Sequence, residues 1–259
     1  MNKYGDELKN EISMNSFSIE TQQEQEVRNA WEDFAKHFKL IFYNNLSKKD
    51  LTMSFSWQLE YKAIGEIGGR LLEDFFVSKL EEENDKQNLI TFQPVHARAM
   101  GDVKCIFRHN QKEFIFYIDI KCNYLRMRER TFEYYQKKGI KKNKPGQSHP
   151  NIMSVEKLKT FVEDEEHSNA DIAMLFIKYD IDKTNQSFEF KIDPQLEQKC
   201  FFLLRDIGND CFDVGNLGKG QVQMSKLERL EFTTRGKREF LDIVLQKRQK
   251  DRIQRPTRI

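Results

Sequence analysis

The sequence predicts an α/β (α+β) fold in which helices flank a central mixed β-sheet. Apolar residues recur at helical spacing in some stretches, and in others they alternate with polar residues or form short apolar runs. The two kinds of stretch are interleaved along the chain, which is typical of a sheet covered by helices. One pair of strands, within residues 101–123, is joined by a tight turn and precedes a further helix and a buried strand.

Length and composition favour a single domain. The chain has 259 residues, of which 38% are hydrophobic and 32% are charged. We expect residues 1–25 to form a flexible N-terminal arm, because they are polar, and residues 26–259 to form one domain. No apolar run reaches the roughly 18 residues of a membrane helix. The first residues lack the apolar core of a signal peptide, and the four cysteines lack metal-ligand spacing, so we expect a cytoplasmic protein with reduced thiols.

Periodicity places the elements along the chain. Helical spacing predicts four helices, over residues 21–43, 59–82, 154–165 and 234–252. Strand patterns predict β-structure over residues 89–96, 101–121, 170–179, 187–192 and 200–205. The second helix contains Gly65, Gly68 and Gly69, each of which costs about 1 kcal/mol relative to alanine. These glycines predict a close approach of the helix backbone to a sheet or a ligand. Its apolar stripe is expected at Ile64, Ile67, Leu71, Phe75 and Leu80, and Thr233-Thr234 is the expected cap of the last helix.

The strand pair within residues 101–123 brings two carboxylates together. A turn at His109-Asn110-Gln111-Lys112 would place Asp102 opposite Asp119. Alternation along the strands then gives one wholly apolar face, and puts Asp102, Asp119 and Lys121 on the other face. Because directly opposed residues have Cβ atoms roughly 5 Å apart, two like charges there are unfavourable without a cation between them.

Paired carboxylates of this kind suit Mg²⁺, which keeps several waters and takes further ligands from substrate phosphate. We expect Asp102 and Asp119 to hold the ion, together with the carbonyl oxygen of Ile120. Lys121 could then orient an attacking water or stabilise the transition state of phosphodiester hydrolysis, and Glu66 could complete the metal or water shell. The alternatives are a solvated Glu66 and a surface ion-pair ladder that joins Asp102 to Lys121 or Asp119 to Lys104.

Basic residues are concentrated in two segments. Residues 123–151 carry eight Lys or Arg against two Glu, and residues 233–259 carry nine Lys or Arg against three acids, although the whole chain is only +2. This distribution favours a side that faces a polyanion, and the alternative is an unspecific solvated surface. The candidate DNA-binding residues are Arg126, Arg128, Arg130, Lys137, Lys138, Lys141, Lys142, Lys144, Gln147 and Asn151.

Together these residues resemble the PD-(D/E)XK nuclease superfamily, and within it the type II restriction endonucleases. Gly101-Asp102 is similar to the first motif, with Gly in place of its Pro, and Asp119-Ile120-Lys121 is similar to the second. The resemblance implies that Asp102 and Asp119 are Mg²⁺ ligands and that Lys121 is the catalytic lysine. Glu66 is similar to the helix glutamate of many members, with Glu60 and Glu73 as rivals.

The resemblance further implies a restriction-endonuclease-like sheet and a Mg²⁺-dependent, sequence-specific double-strand DNA endonuclease. A homodimer is expected, since palindromic sites mirror two-fold symmetry. The arginines of the 123–151 segment, with Gln147 and Asn151, offer donors and acceptors for base edges in the major groove. Three alternatives stay open: a repair or recombination nuclease that recognises DNA structure, a DNA-binding protein without an active site, and a structural or interaction protein.

Overall fold

The computed structural model describes twelve parts of the chain, residues 3–41, 51–54, 61–84, 89–95, 100–124, 136–137, 139, 151–184, 187–192, 201–215, 220–225 and 230–254. Four helices lie within these ranges, α1 Lys3–Ile41, α2 Tyr61–Glu82, α3 Val155–Glu163 and α4 Lys237–Gln254. Ten strands lie there as well, β1 Leu51–Ser54, β2 Ile90–Pro94, β3 Val103–His109, β4 Lys112–Tyr124, β5 Asn151–Ser154, β6 Ala170–Thr184, β7 Ser187–Ile192, β8 Phe201–Leu203, β9 Phe212–Gly215 and β10 Gln221–Met224. None of the helices in the described ranges is long and apolar enough to cross a membrane.

A seven-stranded mixed sheet forms the centre of the fold. Its order is β1-β7-β6-β4-β3-β2, and β8 pairs with β6 on the edge that β6 also offers to β7. Strands β4 and β6 are parallel, and their connection includes β5 and α3, while the other pairs in this sheet are antiparallel. The expected mixed sheet flanked by helices is therefore confirmed. A second, three-stranded sheet has the order β5-β10-β9.

The β3–β4 hairpin has the predicted turn and register. His109 pairs with Lys112, and the register runs without a shift to Val103 opposite Ile118. The two central residues, Asn110 and Gln111, have φ angles of 49° and 63°. Two successive left-handed residues form the turn type whose twist matches that of paired strands, so the turn fixes the register.

Each face of the large sheet carries its own core. On one face α1 and α2 cover the hairpin, and the ring of Phe34 stacks on that of Phe116 with centroids 4.7 Å apart. The other face is covered by α3, α4 and the small sheet, with Phe161, Phe176 and Phe240 fully buried. Asp119 and Lys121 lie on this second face, at the carboxyl end of β4, because the first face of that strand is wholly apolar.

Two helix boundaries and one buried helix face differ from the sequence prediction. Helix α1 begins at Lys3 and not at residue 21, and the added stretch contains no proline. The flexibility of residues 1–25 stays a prediction. Helix α2 buries Leu72, Phe76 and Leu80, while Leu71 and Phe75 are only half-buried. Because residues 71–72 and 75–76 are adjacent apolar pairs, the helix could bury either the first or the second member of each pair. Packing on the sheet buries the second member of each.

The start of α4 differs as well. It begins at Lys237, and the main-chain N–H of Lys237 donates to Glu24 Oε1 of α1 at 2.8 Å. The cap of this helix thus comes from a distant side chain and not from Thr233-Thr234. Four strands were not expected from the sequence, since each has only four residues, namely β1, β5, β9 and β10.

Candidate active site

Asp102 is held against β4 by a close approach of two backbones. A Cβ atom at Gly101 would lie 2.5 Å from the carbonyl oxygen of Ile118, so only glycine fits there. This approach lets the Asp102 N–H donate to the Ile118 oxygen at 2.8 Å. The Asp102 carboxylate then reaches across the ladder, where its Oδ2 accepts from the Ile120 N–H at 2.7 Å. Because proline also carries a Cβ, the glycine found in this motif is the residue that this backbone requires.

Asp119 is the most deeply buried carboxylate of the hairpin, and one of its oxygens is unpaired. The residue is 5% exposed, and its Oδ1 lies 2.7 Å from Lys121 Nζ. Its Oδ2 is buried without a hydrogen-bond partner among the described residues. Burial raises the pKa of Asp119 to about 7, and the Asp102 carboxylate adds to the rise while Lys121 opposes it.

Lys121 stays charged in this setting. Burial lowers the pKa of its ammonium group, but the adjacent Asp119 carboxylate outweighs that effect, and the net pKa is raised. Its Nζ also lies 3.4 Å from the carbonyl oxygen of Ile120, the third predicted metal ligand. The cation that Asp119 contacts is therefore Lys121, two positions along its own strand, and not Lys104 as in the ladder alternative.

Helix α2 supplies a third acid at the end of β4. Glu73 Oε1 accepts from the Cys122 N–H at 3.2 Å, and burial raises the pKa of Glu73 while Lys121 opposes the rise. A Cβ atom at Gly69, one turn earlier, would lie 3.3 Å from the Cys122 carbonyl oxygen. This glycine brings α2 close to β4, as its place in the helix predicted. Glu73 thus lies beside the site, but it bonds to the backbone of β4.

For the other two candidate glutamates, no side-chain position is described. Glu66 lies in α2, but its side chain is outside the described part of the chain, and Glu60 lies outside it altogether. Their role stays a prediction.

The donors present fit a magnesium ion with an incomplete protein shell. The described residues contain no group of three or more His, Cys, Asp or Glu side chains placed to hold a metal ion. They do contain a buried carboxylate oxygen without a partner, on Asp119, beside a second carboxylate, on Asp102. Mg²⁺ characteristically uses one or two carboxylates and fills its octahedron with waters and substrate phosphate. Two carboxylates and the Ile120 carbonyl would suffice.

The predicted DNA-binding segment is largely outside the described residues. Of its ten candidates, Lys137 is exposed, and Asn151 is exposed at the start of β5. Asn151 Oδ1 accepts from Gln223 Nε2 of β10 at 2.5 Å, so the oxygen of this side-chain amide already has a hydrogen bond within the protein. The remaining eight, Arg126, Arg128, Arg130, Lys138, Lys141, Lys142, Lys144 and Gln147, lie outside the described part.

In the second basic segment, residues 233–259, four of the nine basic side chains are engaged within the protein. Three of its cations donate to main-chain carbonyl oxygens within the protein, namely Arg235, Lys237 and Lys247. Arg248 forms an ion pair with Glu156 at 2.6 Å. The net charge of this segment therefore overstates what it offers to a polyanion, because these cations stabilise the fold.

Sequence reasoning did not single out Lys157, on α3. Its ammonium lies near enough to Asp119 and Asp102 for both carboxylates to act on its pKa. Its position in the helix that follows β5 was predicted, but nothing in the sequence indicates which side of that helix faces β4.

No protein-family model matches this chain, and no curated protein matches it in sequence. The case for a function therefore depends on the geometry at the end of β4.

Proposed function

We propose that this protein is a Mg²⁺-dependent, sequence-specific double-strand DNA endonuclease of the type II restriction kind, with a restriction-endonuclease-like sheet. The observation that carries the proposal is the unpaired, buried Oδ2 of Asp119, which lies next to a second carboxylate and a lysine. An unsatisfied carboxylate oxygen costs free energy. Either a divalent cation or a proton shared with the Asp102 carboxylate would satisfy it, and the proposal is that the cation binds there.

Each residue has a distinct role in this proposal. Asp102 and Asp119 hold the ion with the help of the Ile120 carbonyl. Bound Mg²⁺ supplies an activated water and stabilises negative charge on the phosphodiester. Lys121 stays on Asp119 Oδ1, which leaves Oδ2 for the ion, and its ammonium can hold the attacking water or the developing charge.

The partner and assembly follow from the same proposal. The substrate is double-stranded DNA, and the 123–151 segment, which begins two residues after Lys121, is proposed to contact it. We place the enzyme in the cytoplasm as a homodimer, since a two-fold assembly reads a palindromic site.

One observation favours a second candidate, a DNA-binding protein without catalysis. The Asp119–Lys121 ion pair, at 2.7 Å, already neutralises one carboxylate within the protein. If no ion binds at Asp119 Oδ2, the two residues stabilise the strand end and cleave nothing.

The test is a digestion of mixed plasmid DNA with Mg²⁺ by the purified protein, Asp119→Asn and Lys121→Ala. The matched control is Lys104→Ala, which removes a lysine from the same face of the neighbouring strand. We expect discrete fragments from the wild type and the control, and none from the two site variants. Cleavage only of branched or damaged DNA would indicate a repair or recombination nuclease, and binding without cleavage would support the second candidate.

Metal binding is measured separately from activity. We expect Mg²⁺ to raise the unfolding temperature of the wild type, since a ligand at about 100 times its Kd adds about 2.7 kcal/mol of stability. Asp119→Asn should show no such shift. Site variants that cut DNA at the wild-type rate would disprove the assignment of the site.

A further inference from the structure

A ring contact places helix α3 on the second face of β4. The ring of Phe161 meets that of Tyr117 edge to face, with centroids 6.0 Å apart. Lys157 precedes Phe161 by four helix positions, about 6 Å, and Asp119 follows Tyr117 by two strand positions, about 6.6 Å. Since α3 belongs to the connection between parallel strands, it runs opposite to β4. These two steps therefore place Lys157 over Asp119.

The neighbours of Lys157 hold the first turn of α3 in this orientation. Ser154 caps the helix, and its Oγ accepts from the Lys157 N–H at 3.2 Å. Glu156 points the other way, toward Arg248 of α4. The acidic residue of the first turn thus faces α4, and the lysine that follows it faces β4.

The electrostatic surroundings agree with this placement. Burial lowers the pKa of Lys157, the Asp119 and Asp102 carboxylates act to raise it, and Lys121 acts to lower it. The ammonium of Lys157 is therefore within range of all three charged groups of the candidate site.

We propose that Lys157 is a phosphate-binding residue of this site, which contacts the DNA backbone next to the phosphodiester that is cleaved. This inference depends on the proposed endonuclease function. Without a divalent ion, the carboxylates of Asp102, Asp119 and Glu73 outnumber the two ammonium groups, and the cluster is negative by one charge. With the ion bound, the same cluster is positive by one charge, which suits a polyanion. The contribution of Lys157 to DNA binding should therefore depend on the divalent ion.

The experiment measures the affinity for mixed-sequence duplex DNA at several salt concentrations, with Ca²⁺ in place of Mg²⁺ and again with EDTA. The variants are Lys157→Ala and Lys157→Arg, and the matched control is Lys159→Ala, an exposed lysine on the same helix. We expect Lys157→Ala to bind about tenfold more weakly with Ca²⁺ and to reduce the slope of log affinity against log salt by about 1. Lys157→Arg should restore the slope, Lys159→Ala should match the wild type, and with EDTA the variants should differ little.

The outcomes separate the two proposals. If the wild type cuts DNA at discrete sites and Lys157→Ala keeps the wild-type slope, the role of Lys157 is wrong and the endonuclease stands. If the wild type neither binds nor cuts DNA with divalent ions, both proposals fail. A thermal midpoint for Lys157→Ala equal to that of Lys159→Ala would show that any loss of binding is not a loss of folding.

Discussion

Two buried aspartates lie on the adjacent parallel strands β4 and β6, and their surroundings differ. Asp171 is 2% exposed, its Oδ1 accepts from the Ile172 N–H at 2.9 Å, and its Oδ2 lies 2.8 Å from Arg205 Nε. Asp119 is 5% exposed, and only one of its oxygens contacts a described partner. Burial raises the pKa of both carboxylates, and a neighbouring cation opposes the rise in each case.

The cations that face the two aspartates differ in burial and in their other contacts. Arg205 is 3% exposed, and its guanidinium also donates to the carbonyl oxygen of Arg235 at 3.0 Å. Lys121 is 22% exposed, and its ammonium contacts Asp119 Oδ1 and the Ile120 carbonyl oxygen. A buried carboxylate is thus not by itself a sign of function, and neither is a missing hydrogen bond, since Oδ2 of each aspartate lacks one among the described residues. The distinction is that Asp171 Oδ2 lies 2.8 Å from a buried guanidinium, whereas Asp119 lies beside a second carboxylate, that of Asp102.

The largest expected effect concerns activity. Asp119→Asn removes a negative charge that the proposed ion requires, so we expect DNA cleavage to fall by at least about a thousandfold. Asp171→Asn leaves the site intact, so the folded variant should keep a rate close to that of the wild type. Initial rates on plasmid DNA check this. Equal losses in the two variants would remove the distinction between the aspartates.

The next effect concerns stability and has the opposite pattern. Asp171→Asn leaves Arg205 buried without its main counter-charge, and we expect the free energy of unfolding to fall by about 3 kcal/mol. Urea denaturation at pH 8 measures it. The matched control is Glu113→Gln, which breaks the exposed ion pair with Arg108 and should cost less than about 1 kcal/mol. A control as costly as Asp171→Asn would show that burial of the pair is irrelevant.

The pH dependence of stability separates Asp119 from a permanently charged acid. Its pKa of about 7 in the folded protein lies above the ordinary 3.8, so a bound proton stabilises the fold below about pH 4. That contribution is lost as the pH rises to about 7. Since asparagine does not titrate, Asp119→Asn should gain stability over the wild type, on the order of 3 kcal/mol, between pH 4 and pH 7. Denaturation curves in EDTA across this range test it, and a difference that does not vary with pH would contradict it.

The smallest effect compares two glycines, one that precedes Asp102 at the candidate site and one that lies against Glu24. Gly101→Ala places a Cβ against the backbone of Ile118, so we expect a loss of about 2 kcal/mol and weaker Mg²⁺ binding. Gly236→Ala meets the carboxylate end of Glu24, which would have to turn away from the start of α4, so we expect the loss of a cap at about 1 kcal/mol. Thermal melts with and without Mg²⁺ measure both. The comparison fails if Gly236→Ala impairs the response to Mg²⁺ as strongly as Gly101→Ala does.

Local sequence patterns predicted the hairpin. They did not predict features that depend on contacts between residues distant in sequence. The turn at Asn110-Gln111 and the alternation around it are encoded within a few residues, so the register was predictable. The choice among the glutamates was not, because the depth at which α2 meets β4 is set by packing at Gly69. A charge count also could not show that Lys237 is engaged within the protein, since the carbonyl oxygens that it contacts lie about seventy residues away in sequence.

The contacts of α1 can form only in a certain order while the chain is being synthesised. Its apolar face packs on the hairpin, so that contact can form once residue 124 has been made. The ion pair of Arg28 with Asp206 spans 178 residues, and the bond from the Lys237 N–H to Glu24 spans 213. Loops of that length close late, because the partners do not exist until most of the chain has left the ribosome. The polar contacts of Glu24 and Arg28 therefore form later than the first contacts of the apolar face of α1 with the hairpin.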